Sequence, residues 1–133
     1  MALTCIVVTP EETAVNQTAD FVAVPLYDGE IGIAPKHSPV IGRLGFGELR
    51  IRSGSTVDRY YIDGGFVHVV NDVVSILTSR AIPAAKLDEN AANAQLREAS
   101  AKRAPTDEQR QARDRSMSQA RGQLAVARRA RRS

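Results

Sequence analysis

The chain is short of the residues that carry most catalysis. Its 133 residues include one cysteine, two histidines, no tryptophan and only 5% aromatic side chains. A single cysteine excludes an intramolecular disulfide framework and a zinc quartet. Cys5 lies in the apolar run LTCIVV, where a buried, inert thiol is expected. Neither His37 nor His68 stands in a metal-ligand spacing, and no nucleophile pattern surrounds the freer of the two, His37. Asp28 and Glu30 flank a turn glycine close to solvent, a poor place to raise a carboxylate pKa, so they read as an acidic contact or as plain turn residues. Long hydrophobic runs are missing too. No window approaches the ~18 apolar residues that span a bilayer, and MALTCIVVTP has neither a basic leader nor a small-residue cleavage site. A soluble, non-catalytic chain is expected, reaching a membrane only through a partner.

The N-terminal part is rich in short β-branched runs broken by turn residues. Leu3 to Thr9 predicts a first strand, Thr13 to Thr18 an edge strand, and Phe21 to Val24 a third, with Pro25 tolerable at an edge or bulge. Asp28-Gly29 favours a hairpin turn, after which Ile31 and Ile33 share one face. Pro35 and Pro39 stiffen the loop that presents Lys36, His37 and Ser38. Gly42, Gly45 and Gly47 break the next stretch into short pieces; their spacing is not a dinucleotide fingerprint, and no helix follows. Glu48 to Arg52, Asp58 to Ile62, Phe66 to Val70 and Val73 to Leu77 continue the strands, with Gly64-Gly65 a bulge and Asn71-Asp72 a hairpin turn. His68, between Val67 and Val69, is expected on the outer face. Turn signals every eight to twelve residues describe a β-sandwich or barrel.

After Pro83 the composition changes to alanine, glutamine and charge, with no aromatic residue and no glycine before Gly122. Leu87, Ala91, Ala92 or Ala94, Leu96, Ala99 and Arg103 follow helical spacing, and Pro105 stops that helix. Thr106 and Gln109 form a capping box for a second helix, running from about Asp107 into the 120s, with Met117, Ala120, Leu124 and Ala127 on one face. The short connection makes the helices an antiparallel pair. Few large side chains line them, so weak docking and mobility are expected. The expected organisation is α+β: an antiparallel sandwich or barrel of short strands over residues 1–83 and a helical hairpin over 84–133.

Charge divides the same way. Residues 1–96 carry 7 Lys+Arg and 11 Asp+Glu, net −4, whereas residues 97–133 carry 11 and 4, net +7. A basic helix suits a solvated face, an acidic partner or a nucleic acid. A sandwich with an arginine-rich nucleic-acid-binding tail is therefore the alternative reading, although the aromatic interleaving of single-strand binders is missing.

The motifs DGEIGIAPKHSPV (28–40), GELRI (47–51) and YYIDGGFVHVVNDVVSIL (60–77), in this order and spacing, resemble the epsilon subunit of the rotary ATP synthase, called delta in mitochondria. The resemblance weakens beyond about Leu96. It implies a ten-stranded sandwich with a C-terminal hairpin, in a non-catalytic central-stalk subunit that couples proton transport to ATP synthesis. The implied partners are the gamma subunit, the membrane c-ring and the catalytic alpha and beta subunits. The implied location is peripheral, on the cytoplasmic face of a bacterial plasma membrane or on another energy-coupling membrane. By the same resemblance Asp28, Gly29 and Glu30 would face the c-ring, and His37, Ser38 and Pro39 would face gamma. Arg113, Arg115, Arg121 and Arg128 would meet an acidic segment of beta and restrain hydrolysis. Some members bind ATP through I/L-D-x-x-R-A. Here that stretch starts Leu87-Asp88 and ends Ala91-Ala92, with Ala91 at the arginine position, so the cation for phosphate is lost and no cofactor is expected.

Overall fold

The computed structural model describes residues 2–132, the side chain of Arg132 excepted. Eight strands precede the helices: β1 (Leu3–Val8), β2 (Thr13–Ala19), β3 (Phe21–Leu26), β4 (Gly29–Ile33), β5 (Val40–Ser53), β6 (Thr56–Val70), β7 (Val73–Leu77) and β8 (Ala81–Pro83). Their order is β2-β1-β7-β6-β5-β3-β4, with β8 paired to β6. All pairings are antiparallel except β1 with β7. The sheet folds over a core that includes Leu3, Val22, Val24, Ile33, Leu49, Ile51, Val67 and Ile76, all fully buried. Cys5 is in that core, and burial pushes its thiol up to about 12. Alkylation at pH 8 should therefore be at least tenfold slower in the folded chain than in urea, because the thiolate is the nucleophile. Equal rates would place Cys5 outside the core.

The ten short strands that the resemblance implies become eight among the described residues, because two of them are long. Gly42, Gly45 and Gly47 do not cut β5, and Gly64-Gly65 does not cut β6; the two pair in one register from Val40↔Val69 to Ser53↔Thr56. The glycines serve bending and close approach instead. Between Ala23 and Leu26 the β3–β5 register slips, so that β5 bulges past Pro25. A proline is tolerated there because it has no amide to give the ladder. A Cβ at Gly45 would come within 2.8 Å of the Leu26 carbonyl oxygen, and one at Gly65 would overlap the Leu77 carbonyl oxygen.

The first hairpin turn falls one residue earlier than Asp28-Gly29 suggests. Leu26 pairs with Gly29, which puts Tyr27 and Asp28 at the tip. Asn71-Asp72 does form a hairpin turn, both residues having positive φ, and Val70 pairs with Val73 across it.

A 3₁₀ turn (Ala84–Lys86) leads to α1 (Glu89–Ala101) and α2 (Asp107–Arg132). The first α-helix starts two residues after Leu87 because Asp88 caps it, accepting the Ala91 amide at 3.1 Å. The second starts on the expected reciprocal box: the Gln109 amide donates to Thr106 Oγ1 and the Thr106 amide to Gln109 Oε1. It continues past the 120s to Arg132. The helices are antiparallel, joined by the Gln95 amide donating to Ser116 and by the ion pair Arg131–Glu89 at 2.9 Å.

Candidate functional site

Each expected contact begins at a strand connection. At the β3–β4 turn, Asp28, Gly29 and Glu30 are all exposed. Glu30 is not a loose carboxylate: Arg50 donates Nη2 to Oε1 at 2.8 Å and Nη1 to Oε2 at 3.1 Å, the two-pronged geometry that guanidinium favours. Arg50 also reaches Glu48, whose side chain is 1% exposed. Arg59 from β6 and Arg129 from α2 pair with the same Glu48 oxygen at 3.2 and 3.5 Å. A buried carboxylate is costly unless charge and hydrogen bonds meet it, and here three guanidiniums do so.

The second expected contact, between β4 and β5, is held from behind. The Lys36 amide donates to Asp72 Oδ1 at 2.6 Å, tying the loop to the β6–β7 turn, and Lys36 takes φ 66°. His37 is half-buried, with Nδ1 2.7 Å from the Ser38 carbonyl oxygen, while Ser38 and Pro39 are exposed.

Between these two ends lies a surface that motif-based reading passed over. Ile41 and Arg43 on β5 stand opposite His68 and Phe66 on β6, and these stand opposite Ser75 and Leu77 on β7. Beyond β7 the face continues onto Ile6 and Val8 of β1. Ile41 is 78% exposed, Phe66 57% and Leu77 52%. At the far end Tyr27, 67% exposed, carries the Arg43 guanidinium over its ring at 5.6 Å. The face thus runs from the His37 loop to the acidic turn. His68 is on the outer side, as its place between two inward valines requires. The same alternation, with Val67 and Val69 inward, puts Phe66 outward too, and that was the signal available in the sequence.

The arginines of α2 divide between two sides. Arg113, half-buried, pairs with Asp114 at 3.4 Å beside α1. Arg115 and Arg121 line a groove of about 770 Å³ over the β5 kink, shared with Arg43 and Asp63. Arg128 is exposed. Arg129, outside the expected set, forms an ion pair with Glu48 of the sandwich.

Helix α2 also has a second apolar face beyond the one read from its spacing. Met117, Ala120, Leu124 and Ala127 follow the predicted stripe, but Val126 and Ala130 pack with Tyr61, Phe46, Ile82 and Leu87 of the sandwich side. Gly122 is the closest approach: a Cβ there would meet the Phe46 carbonyl oxygen at 2.7 Å. One turn earlier, Gln119 donates to both oxygens of Asp63 at 3.1 and 3.3 Å. Asp63 is nearly buried and also accepts from Tyr61 at 3.0 Å and from Arg80 at 3.3 Å. Burial, then the Asp63 charge, pushes the Tyr61 hydroxyl pKa upward, so Tyr61 stays a donor across the ordinary pH range.

The stretch compared with the ATP motif is accounted for by packing. Leu87 joins the helix–sandwich cluster, Asp88 is the cap, and Ala92 is buried. Among the described residues no group of three or more His, Cys, Asp or Glu could hold a metal ion, and no helix is long and apolar enough to cross a membrane.

The family model for the β-sandwich domain of the ATP synthase delta/epsilon chain matches residues 2–84. The chain belongs to the ATP synthase delta/epsilon family. It is 48% identical to the ATP synthase epsilon chain of Rhodopirellula baltica over 128 residues, 96% of this chain and all of that one. The epsilon chain of Granulibacter bethesdensis is 32% identical over 76% of each chain. Among solved structures, a chain of the Euglena gracilis mitochondrial ATP synthase, from an assembly described as OSCP/F1/c-ring, superimposes with a TM-score of 0.85 at 25% identity, covering 94% of this chain and 81% of that one. A chain from the central stalk/c-ring of the Tetrahymena thermophila enzyme shares the fold, with a TM-score of 0.75 at 15% identity. Both the sandwich and the hairpin belong to the likeness, because the coverage extends well past residue 84. The nucleic-acid alternative finds no support in these comparisons.

Proposed function

We propose that the chain is a non-catalytic rotor subunit whose outer sheet face binds gamma and whose acidic turn meets the c-ring. The observation that carries this reading is the exposed apolar face joining the His37 loop to Tyr27 and the acidic turn. Monomeric proteins seldom leave a contiguous apolar patch uncovered unless something docks there. Loop residues His37, Ser38 and Pro39 form one rim of that contact, and Asp28 and Glu30 lie beyond its other end, exposed to a second surface. Family membership supplies the partners: the relatives are epsilon chains, and the solved neighbours come from assemblies containing F1 or the central stalk and the c-ring. The complex is membrane-associated, and we place this chain peripherally on its cytoplasmic side.

The hairpin adds a restraint on hydrolysis in this reading. Arg115, Arg121 and Arg128 are exposed and Arg113 is half-buried, so an undocked α2 would offer guanidiniums to an acidic segment of the catalytic subunits. ATP binding stays outside the proposal, since Ala91 stands where the motif needs a cation.

Two measurements test this. The purified chain should bind gamma in calorimetry with a negative heat-capacity change, the mark of apolar burial; absence of binding removes the rotor reading. In the assembled complex, truncation after Leu87 should raise ATP hydrolysis severalfold while binding to gamma persists. An unchanged rate removes the restraint and leaves the rest.

A further inference from the structure

We propose that the acidic turn and helix α2 are coupled through a shared ring of arginines, so that a cationic side chain brought against Glu30 loosens the docked hairpin. Five charged groups from four elements meet here: Glu30 of β4, Glu48 and Arg50 of β5, Arg59 of β6 and Arg129 of α2. Three are positive and two negative. The carboxylate at the centre, Glu48, is 1% exposed on its side chain, so its attractions are screened less than those of surface pairs.

Arg50 is the shared member. It holds Glu30 with both nitrogens, Nη2 at 2.8 Å and Nη1 at 3.1 Å, and the same Nη1 reaches Glu48 at 3.2 Å, while Arg129 holds Glu48 from the helix side at 3.5 Å. While Glu30 draws charge from Arg50, Glu48 has attraction left for Arg129. When a partner's lysine or arginine takes Glu30, Arg50 turns wholly to Glu48. The positive charge facing Arg129 then rises, and the C-terminal end of α2 loses its hold on the sandwich. The hairpin itself stays paired, since Arg131–Glu89 joins its two helices and not the sandwich. The device is a property of the chain alone and stands even if the surface that meets Glu30 is not the c-ring.

The test uses the full chain with spin labels at Ser55→Cys and Ala125→Cys, both exposed sites, while the native thiol stays buried. Pulsed distance measurements in mild urea give the ratio of undocked to docked hairpin. Glu30→Gln should raise that ratio about two- to fivefold, the range an ion pair of this exposure allows, and Glu30→Lys should raise it further. Arg50→Gln should lower it, and on that background Glu30→Gln should have lost most of its effect. Arg129→Gln should likewise make the ratio insensitive to residue 30, with thermal unfolding confirming that each sandwich is intact. An unchanged ratio in both Glu30 variants overturns the proposal, and so does a Glu30→Gln effect that is equally large without Arg50 or without Arg129.

Discussion

Replacing Phe66 with glutamate should weaken binding to gamma by at least about 30-fold, corresponding to the ~2 kcal/mol that marks an interface hot spot. Phe66 sits mid-strand between Arg43 and Leu77 on the outer face, with more than half its surface in water. The free chain therefore loses little when the ring is removed, and its melting temperature should shift by no more than a few degrees. In the complex a buried carboxylate without a partner would carry the full desolvation cost. Ile41→Glu, on the same face and one strand away, should act in the same direction. If both variants bind gamma as the parent does, the apolar face is not the gamma surface, and the His37 loop would have to carry the contact alone.

The second large effect is expected at Gly122. Alanine is a better helix former than glycine by about 1 kcal/mol, so Gly122→Ala should strengthen an isolated α2. In the docked chain the new Cβ would meet the Phe46 carbonyl oxygen at 2.7 Å and the Tyr61 ring at 3.1 Å. The oxygen belongs to a strand backbone held by the pairing of Phe46 with Asp63 of β6, so relief comes by lifting the helix. Overpacking of this kind costs about 1–3 kcal/mol, enough to shift the hairpin toward the undocked state. Amide exchange across residues 117–130 should quicken while exchange in β5 and β6 stays slow. A raised melting temperature with unchanged exchange would mean that propensity has won over packing.

Most of the sheet was legible because its turns announce themselves. Asn71-Asp72 and the alternation of Val67 with Val69 fixed a hairpin and its inward face without help from tertiary structure. The glycines misled in number: Gly42, Gly45 and Gly47 read as breaks, yet the strand runs through them, since a glycine permits a bend or a close neighbour as readily as a stop. In the helices the stripe from Met117 to Ala127 was visible by spacing, whereas the face bearing Gly122 and Val126 was not. Its partners, Tyr61 and Phe46, lie about sixty to eighty residues away, and a small residue shows its purpose only beside the backbone it admits. Arg129 escaped for a similar reason. Nothing local distinguishes it from Arg128; the difference is the buried carboxylate it reaches, and Glu48 reads in sequence as an ordinary outward residue of an alternating strand. Family membership rests on the matched sandwich.

The pairing of β5 with β6 in a single register carries a mechanical consequence. Two strands of 14 and 15 residues form a single ribbon from the loop end at Val40 and Val69 to the far turn at Ser53 and Thr56. Shear along such a ribbon must break its hydrogen bonds together, because a slip of one residue would turn every core side chain into water. A part that rides between a turning shaft and a ring needs that torsional stiffness: twist applied at one end should arrive at the other with little lost to internal yielding, leaving elastic give to the hairpin, whose hold on the sandwich is narrow.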